Sequence, residues 1–189
     1  MNTQEYILNK YKIAKDAVYP VKLDIKRGDL AILFKELGFK VGVEVGVAMG
    51  HYSKKLCIEN PEMKLYSIDP WLGEYESHEV IARETLKPYN CEIVKKASME
   101  AVKDFKPESI DFVYIDADHS FECVYEDLTE WSKIVKKGGI VSGHDYFKVS
   151  FSHRRKPVML AIDKYLAENN IEKFFMVNNR HESSWFFVK

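Results

Sequence analysis

The sequence predicts an α/β protein built on a mostly parallel sheet, and three observations carry that prediction. An apolar, β-branched run, Val41-Gly42-Val43-Glu44-Val45, breaks into glycines spaced Glu44-x-Gly46-x-x-x-Gly50, and a helical pattern from Tyr52 to Ile58 follows at once. Beyond it, short apolar runs alternate with helical patterns of about 10–15 residues, as in βαβ units with right-handed crossovers. The chain then closes on two apolar runs, Phe174 to Val177 and Trp185 to Val188. Their link, Asn178 to Ser184, is too short for a helical crossover, so they pair as an antiparallel hairpin or do not pair directly. The count is a seven-stranded, mostly parallel sheet with an antiparallel C-terminal hairpin strand, between helical layers.

Taken in order, residues 3–17 read as a helix, with Tyr6, Ile7, Tyr11 and Ala14 at helical spacing and Pro20 closing the segment. Gly28-Asp29 opens a second helix, whose face of Leu30, Ile32, Leu33 and Leu37 ends at Gly38. These two helices (residues 1–38) precede the first strand and serve as a cap over a site or as cover for a sheet edge. Residues 39–189 form the core of what is expected to be one domain spanning 1–189. The strand at 64–69 is followed by a helix at 78–87, and a strand at 91–97 by a helix at 99–105. The run 110–116 is a strong strand, and 121–135 a strong amphipathic helix that Gly138-Gly139 ends before a strand at 140–145. A helix over 157–168 leads to the hairpin.

Bulk composition narrows the function classes. The chain has 189 residues, 46% hydrophobic and 30% charged, with a net charge of -1. That balance creates no whole-molecule field favouring nucleic acid or an anionic membrane. No apolar run approaches the roughly 18 residues a membrane span needs, and the start MNTQEYILNKYK has no signal-peptide core, so a cytoplasmic location is expected. Cys57, Cys91 and Cys123 form no C-x-x-C pair and read as reduced thiols.

In an open α/β sheet the ligand lies beyond the carboxyl ends of the strands. Those ends carry Glu44, Asp69, Ser98, Asp116, Asp118, His144 and Asp145. Asp69 lies 23 positions past Gly46, close to the offset of an acid that holds a ribose. Pro70-Trp71 follows, a fixed backbone with an aromatic plane that suits an adenine. A dinucleotide fingerprint requires G-x-G-x-x-G/A, but Ala48 and His51 stand at its second and third positions. Without the glycine that admits a pyrophosphate, the turn suits a nucleoside with no phosphate chain. No G-x-x-x-x-G-K-[ST] run is present, which disfavours phosphoryl transfer from ATP.

These residues resemble the class I S-adenosylmethionine-dependent methyltransferases, within a bacterial small-molecule O-methyltransferase-like group, over about residues 28–189. Glu44-Val-Gly46-Val-Ala-Met-Gly50 is similar to the first motif of that family, and Asp69 to its ribose-binding acid. Ala97-Ser98 resembles the adenine-edge position, and Tyr114-Ile-Asp116-Ala-Asp118-His119 the fourth motif, near the methionine moiety. The terminal hairpin resembles the family's antiparallel strands, the last inserted beside the fifth. The resemblance implies a Rossmann-like three-layer sandwich with S-adenosyl-L-methionine as cofactor. It places cofactor contacts at Glu44, Gly46, Val47, Gly50, Tyr52, Ser53, Asp69, Pro70, Trp71, Ala97, Ser98, Asp116 and His119. Glu44 would hold the loop amides or reach the cofactor's amino-acid end through water.

Some members of that group bind Mg²⁺ through an acid after the fourth strand and an acidic pair after the fifth, which match Asp116, His144 and Asp145 here. His144 stands where an acid is usual. Mg²⁺ prefers oxygen ligands, and an imidazole with two carboxylates suits Mn²⁺, Fe²⁺ or Zn²⁺ better. The alternative is a metal-free site with His144 as a base.

The function so implied is transfer of a methyl group to a small molecule, on a hydroxyl oxygen, with His119, His144 and Asp116 as the catalytic candidates. A hydroxyl must lose its proton, and imidazole is the natural base at neutral pH. The loop from Phe147 to Pro157, with His153-Arg154-Arg155-Lys156, leaves the ligand edge and would form part of the acceptor pocket. The fourth motif lacks the prolines that nucleic-acid amino methyltransferases use, so nucleic acid is not an expected partner. Homo-oligomerisation stays open. The competing reading is a non-catalytic cofactor-binding regulatory or partner protein of the same fold.

Overall fold

The computed structural model describes residues 2–14, 16–146, 156–179 and 182–189. The elements run α1 (Thr3–Lys10), β1 (Val21–Leu23), α2 (Arg27–Glu36), β2 (Val41–Val45), α3 (His51–Glu59), β3 (Lys64–Ile68), α4 (Glu76–Leu86) and β4 (Cys91–Val94). They continue with α5 (Ser98–Ala101), β5 (Ile110–Ile115), α6 (Phe121–Ile134), β6 (Val135–Gly143), α7 (Lys156–Glu168), β7 (Phe174–Asn179) and β8 (Glu182–Val188). One sheet takes all the strands in the order β1-β7-β8-β6-β5-β2-β3-β4. Only β8 is antiparallel, paired with β7 through Phe175 and Phe186 and inserted beside β6 through Val141 and Phe187.

Among the described residues the sheet has eight strands where seven are expected. The extra one, Val21–Leu23, lies parallel to β7 with Val21 opposite Phe175. Three residues are too few to show an alternating pattern, and their partner lies more than 150 positions along the chain. The first helix is shorter than the 3–17 span, because Tyr11 caps α1 and Lys12 turns into the left-handed region at φ 52°. Gly138 and Gly139 do not separate α6 from its strand. They lie inside β6, where the register against β5 shifts between Ile110 and Phe112 and Gly138 takes φ 78°. Two glycines give that bulge the backbone freedom it needs.

Each face of the sheet buries its own core. On one side Leu30, Leu33 and Phe34 of α2 and Leu56 of α3 pack on Leu65, Phe112, Ile140, Phe175 and Phe186. Phe34 and Phe112 stack with centroids 4.0 Å apart. Gly42 makes room for that stack, since a Cβ there would meet the Phe112 ring at 2.2 Å. On the other side Val124, Leu128 and Trp131 of α6 and Ala161, Ile162 and Tyr165 of α7 cover Val43, Val113, Val141 and Phe187. Helix α2 thus covers a sheet face, and its first residue, Arg27, reaches the ligand edge of the sheet.

Candidate functional site

A cavity of about 820 Å³ opens beyond the carboxyl ends of β4, β3, β2 and β5. Its centre is the turn after β2. Gly46 has φ 88°, and a Cβ there would stand 2.1 Å from the carbonyl oxygen of Asp116. Only glycine lets the ends of β2 and β5 approach this closely. Gly50, at φ 80°, caps α3 at its N-terminus without a side chain, and it lies outside the cavity wall.

Asp69 fixes the turn. Its Oδ2 accepts from the amides of Val47 at 2.9 Å and Ala48 at 3.0 Å, and its Oδ1 from the amide of Trp71 at 2.7 Å. The acid expected to hold a ribose lines the cavity, yet three backbone donors already occupy most of its acceptor capacity. Trp71 is not in the wall. Its ring is 1% exposed, packed with Val47, Ala82 and Leu86, and its Nε1 donates to the carbonyl of Ala48 at 2.8 Å. Pro70, Leu72 and Tyr75 line the cavity at that point. The backbone at Trp71 adopts φ 43°, which swings the indole under the turn.

Glu44 lines the cavity and is 1% exposed. Burial pushes its carboxyl up to about 8, against the opposing effects of the Ser53 hydroxyl and the Arg27 charge. Ser53 donates to Glu44 and pairs with Ser67 at 2.8 Å. Expected to touch the cofactor, Ser53 instead lies fully buried behind Glu44 and orients it.

At the β5 end the wall is made of ionisable side chains. Asp116 Oδ2 accepts from Arg27 Nη2 at 2.9 Å. The Arg27 guanidinium lies 4.1 Å from the centroid of Tyr52 and 4.9 Å from that of Tyr114. Burial would raise the Asp116 carboxyl, but His119 and the Arg27 charge outweigh it and hold the group below its usual range. His119 Nε2 is 3.7 Å from Asp116 Oδ1 and 3.3 Å from Asp145 Oδ2, and the neighbouring Asp116 raises its pKa above the ordinary histidine value. His144 Nδ1 is 3.2 Å from Asp145 Oδ1 and 3.8 Å from Asp116 Oδ1, and its Nε2 is buried without a partner. Asp116, His144 and Asp145 thus offer an imidazole nitrogen and two carboxylates within 4.8 Å of one another, the only such group among the described residues.

The β4 end carries Ala97 and Ser98. Ser98 Oγ donates to Asp127 and accepts from Trp131 Nε1 at 2.8 Å. Burial raises the Asp127 carboxyl to about 6 against the Ser98 hydrogen bond.

The structure therefore gathers Glu44, Gly46, Val47, Tyr52, Asp69, Pro70, Ala97, Ser98, Asp116 and His119 around one cavity, with His144 and Asp145 beside Asp116. Sequence reasoning missed Arg27 and Asp127, though each left a trace. A cation in the first turn of a helix opposes the helix dipole, and Arg27 sits there. Asp127 occupies the apolar stripe of its helix between Val124 and Trp131. Of the loop Phe147 to Pro157 expected to shape an acceptor pocket, residues 147–155 lie outside the described residues and Lys156 begins α7.

Comparison with known proteins is consistent with this geometry. Residues 43–146 match the model of a family described as Methyltransferase domain. The chain is 30% identical over 141 residues to the uncharacterised protein R132 of Acanthamoeba polyphaga mimivirus, a match that covers 70% of this chain and 62% of that protein, just under two thirds of its length. An O-methyltransferase from Bacillus cereus, solved with SAH, superposes with a TM-score of 0.69 at 18% identity, over 99% of this chain and 90% of its own. The O-methyltransferase TomG from Streptomyces achromogenes, involved in tomaymycin synthesis and solved with SAM, gives 0.67 at 16% identity, over 96% and 86%. At such identities the likeness is one of fold. No helix of the described residues is long and apolar enough to cross a membrane.

Proposed function

This chain belongs to the methyltransferase-domain family, with the fold of the class I S-adenosylmethionine-dependent enzymes, and on that premise we propose that it methylates a hydroxyl oxygen of a small molecule. The observation that carries the proposal is the position of His119. Its imidazole is 42% exposed, lines the same cavity as the nucleoside turn, and is held between Asp116 and Asp145.

The spatial strand order supports one assignment of residues to the cofactor. Ala97, Ser98 and Met99 beyond β4, with Pro70 and Leu72, would hold the adenine. Asp69 beyond β3, where Oδ1 retains one acceptor position, would hold the ribose. Glu44, Tyr52 and Asp116, between β2 and β5, would hold the sulfonium and amino-acid end. The methyl carbon is already electrophilic, so the protein's work is to align the acceptor and remove its proton. His119 takes that proton, and the Asp116 and Asp145 carboxylates stabilise the imidazolium that results.

Asp116, His144 and Asp145 fit a divalent ion, with one imidazole nitrogen and two carboxylate oxygens within 4.8 Å of one another. That mixed set suits Mn²⁺ better than Mg²⁺. A bound ion would lower the pKa of an acceptor hydroxyl.

Turnover of S-adenosylmethionine with sugars, phenols and hydroxy acids tests the reading, run with and without chelator. Activity retained in chelator, and reduced about 10²-fold or more by His119→Ala, is expected if His119 alone is the base. Loss in chelator with recovery on Mn²⁺ would give the proton-removing role to the ion. Cofactor binding with no turnover on any acceptor would favour a binding protein over an enzyme.

A further inference from the structure

We propose that Arg27 anchors the α-carboxylate of the cofactor's amino-acid end. The assignment rests on the cofactor reading above and extends it to a residue at the start of α2, outside the matched family region of 43–146. Two observations lead to it. The first concerns charge. Among the described residues, the cavity wall carries the carboxylates of Asp69, Asp116, Asp118, Glu126 and Asp127 beside the buried carboxyl of Glu44, and Arg27 is the one arginine or lysine in it. A zwitterionic ligand places a carboxylate somewhere in this acidic chamber, where it would be repelled unless it met a cation. Four of the turn amides are already engaged. Those of Val47 and Ala48 are bound to Asp69, that of Gly46 to the carbonyl of Ile68 at 2.9 Å, and that of Gly50 to the carbonyl of Val47 at 2.9 Å.

The second observation concerns the guanidinium itself. It lies against the rings of Tyr52 and Tyr114 and is pinned to Asp116 through Nη2, while its Nε is buried with no partner and the side chain as a whole stays 21% exposed at the cavity. The side chain is thus fixed in place with donor capacity unused, and a planar guanidinium is suited to a second carboxylate. Arg27 and Asp116 stand side by side at the β5 end, as complementary partners for the carboxylate and the ammonium of one amino acid.

The test is calorimetric binding of S-adenosylmethionine and of its decarboxylated form, which keeps the ammonium, sulfonium and nucleoside. The unaltered protein should prefer the carboxylated ligand by about 10–100-fold, the range of one charge-assisted contact. Arg27→Met should abolish that preference while leaving affinity for the decarboxylated ligand within a few-fold, and Arg27→Lys should retain part of it. A structural role would lower both affinities together, so equal losses would overturn the assignment, as would a preference that survives in Arg27→Met. If Arg27→Met does not fold, the Lys variant and the preference of the unaltered protein still decide. Should the unaltered protein bind neither ligand, the cofactor reading itself fails; binding of both without preference overturns only the role of Arg27.

Discussion

The two ends of the cavity are built from different materials. At the β2–β3 end the polypeptide backbone does the shaping, with Gly46 at φ 88° and one carboxylate, Asp69, gathering three amides. At the β5–β6 end, side chains from three parts of the chain constrain one another: Arg27 from α2, Asp116 and His119 after β5, His144 and Asp145 after β6. A backbone-built site is rigid before any ligand arrives. A charge-built site keeps its geometry only while its partners remain ionised and paired. Substitutions at the first end should therefore damage fold and binding together, and those at the second should separate binding from chemistry.

The sharpest way to break the first end is Gly46→Ala. The new Cβ would overlap the backbone of Asp116 and Ala117 and force a side chain into the left-handed region. We expect a loss of at least about 3 kcal/mol of stability, measured by denaturant unfolding. A soluble variant of unchanged stability would show that the β2 and β5 ends can move apart.

Asp69→Ala should cost somewhat less, about 2–4 kcal/mol for three hydrogen bonds to one carboxylate. This outcome separates two roles of the residue. If Asp69 chiefly holds the turn, stability and cofactor affinity fall together. An acid serving only the ribose would leave the unfolding midpoint unchanged while affinity dropped.

The same contrast explains what could be read in advance. The turn was legible because glycine spacing and the offset to Asp69 are local properties of the chain. The parallel sheet and the antiparallel hairpin were legible from alternation and from a link too short to cross over, whereas the insertion of β8 beside β6 followed only from the family resemblance. Trp71 shows the limit, since its position after Asp69 was evident but the φ of 43° that turns its ring inward was not. Ser53 likewise lies on the correct helix, and only packing reveals that it serves Glu44. Arg27 is 89 positions from Asp116, and nothing local joins them. Strand β1 is hidden for the same reason, being three residues defined only by pairing with β7.

The most gradual effect, spread over several pH units, concerns the border between the two ends, where two buried carboxylates shift in opposite directions. Arg27 and His119 hold Asp116 low, whereas burial dominates at Glu44 and raises it from 4.5 to about 8. Between those two values the folded protein keeps a proton on Glu44 that the unfolded chain has released. Its contribution to stability is therefore fully present below pH 4.5 and is lost as pH rises toward about 8, at about 1.4 kcal/mol per pH unit. Glu44→Gln keeps an amide that accepts from Ser53 and cannot ionise. The stability of the variant relative to the unaltered protein should rise steadily from pH 5 to pH 8 in denaturant titrations. Parallel curves would mean that Glu44 is charged in the fold, that Arg27 neutralises both carboxylates, and that the acidic wall is one connected network rather than two separately tuned ends.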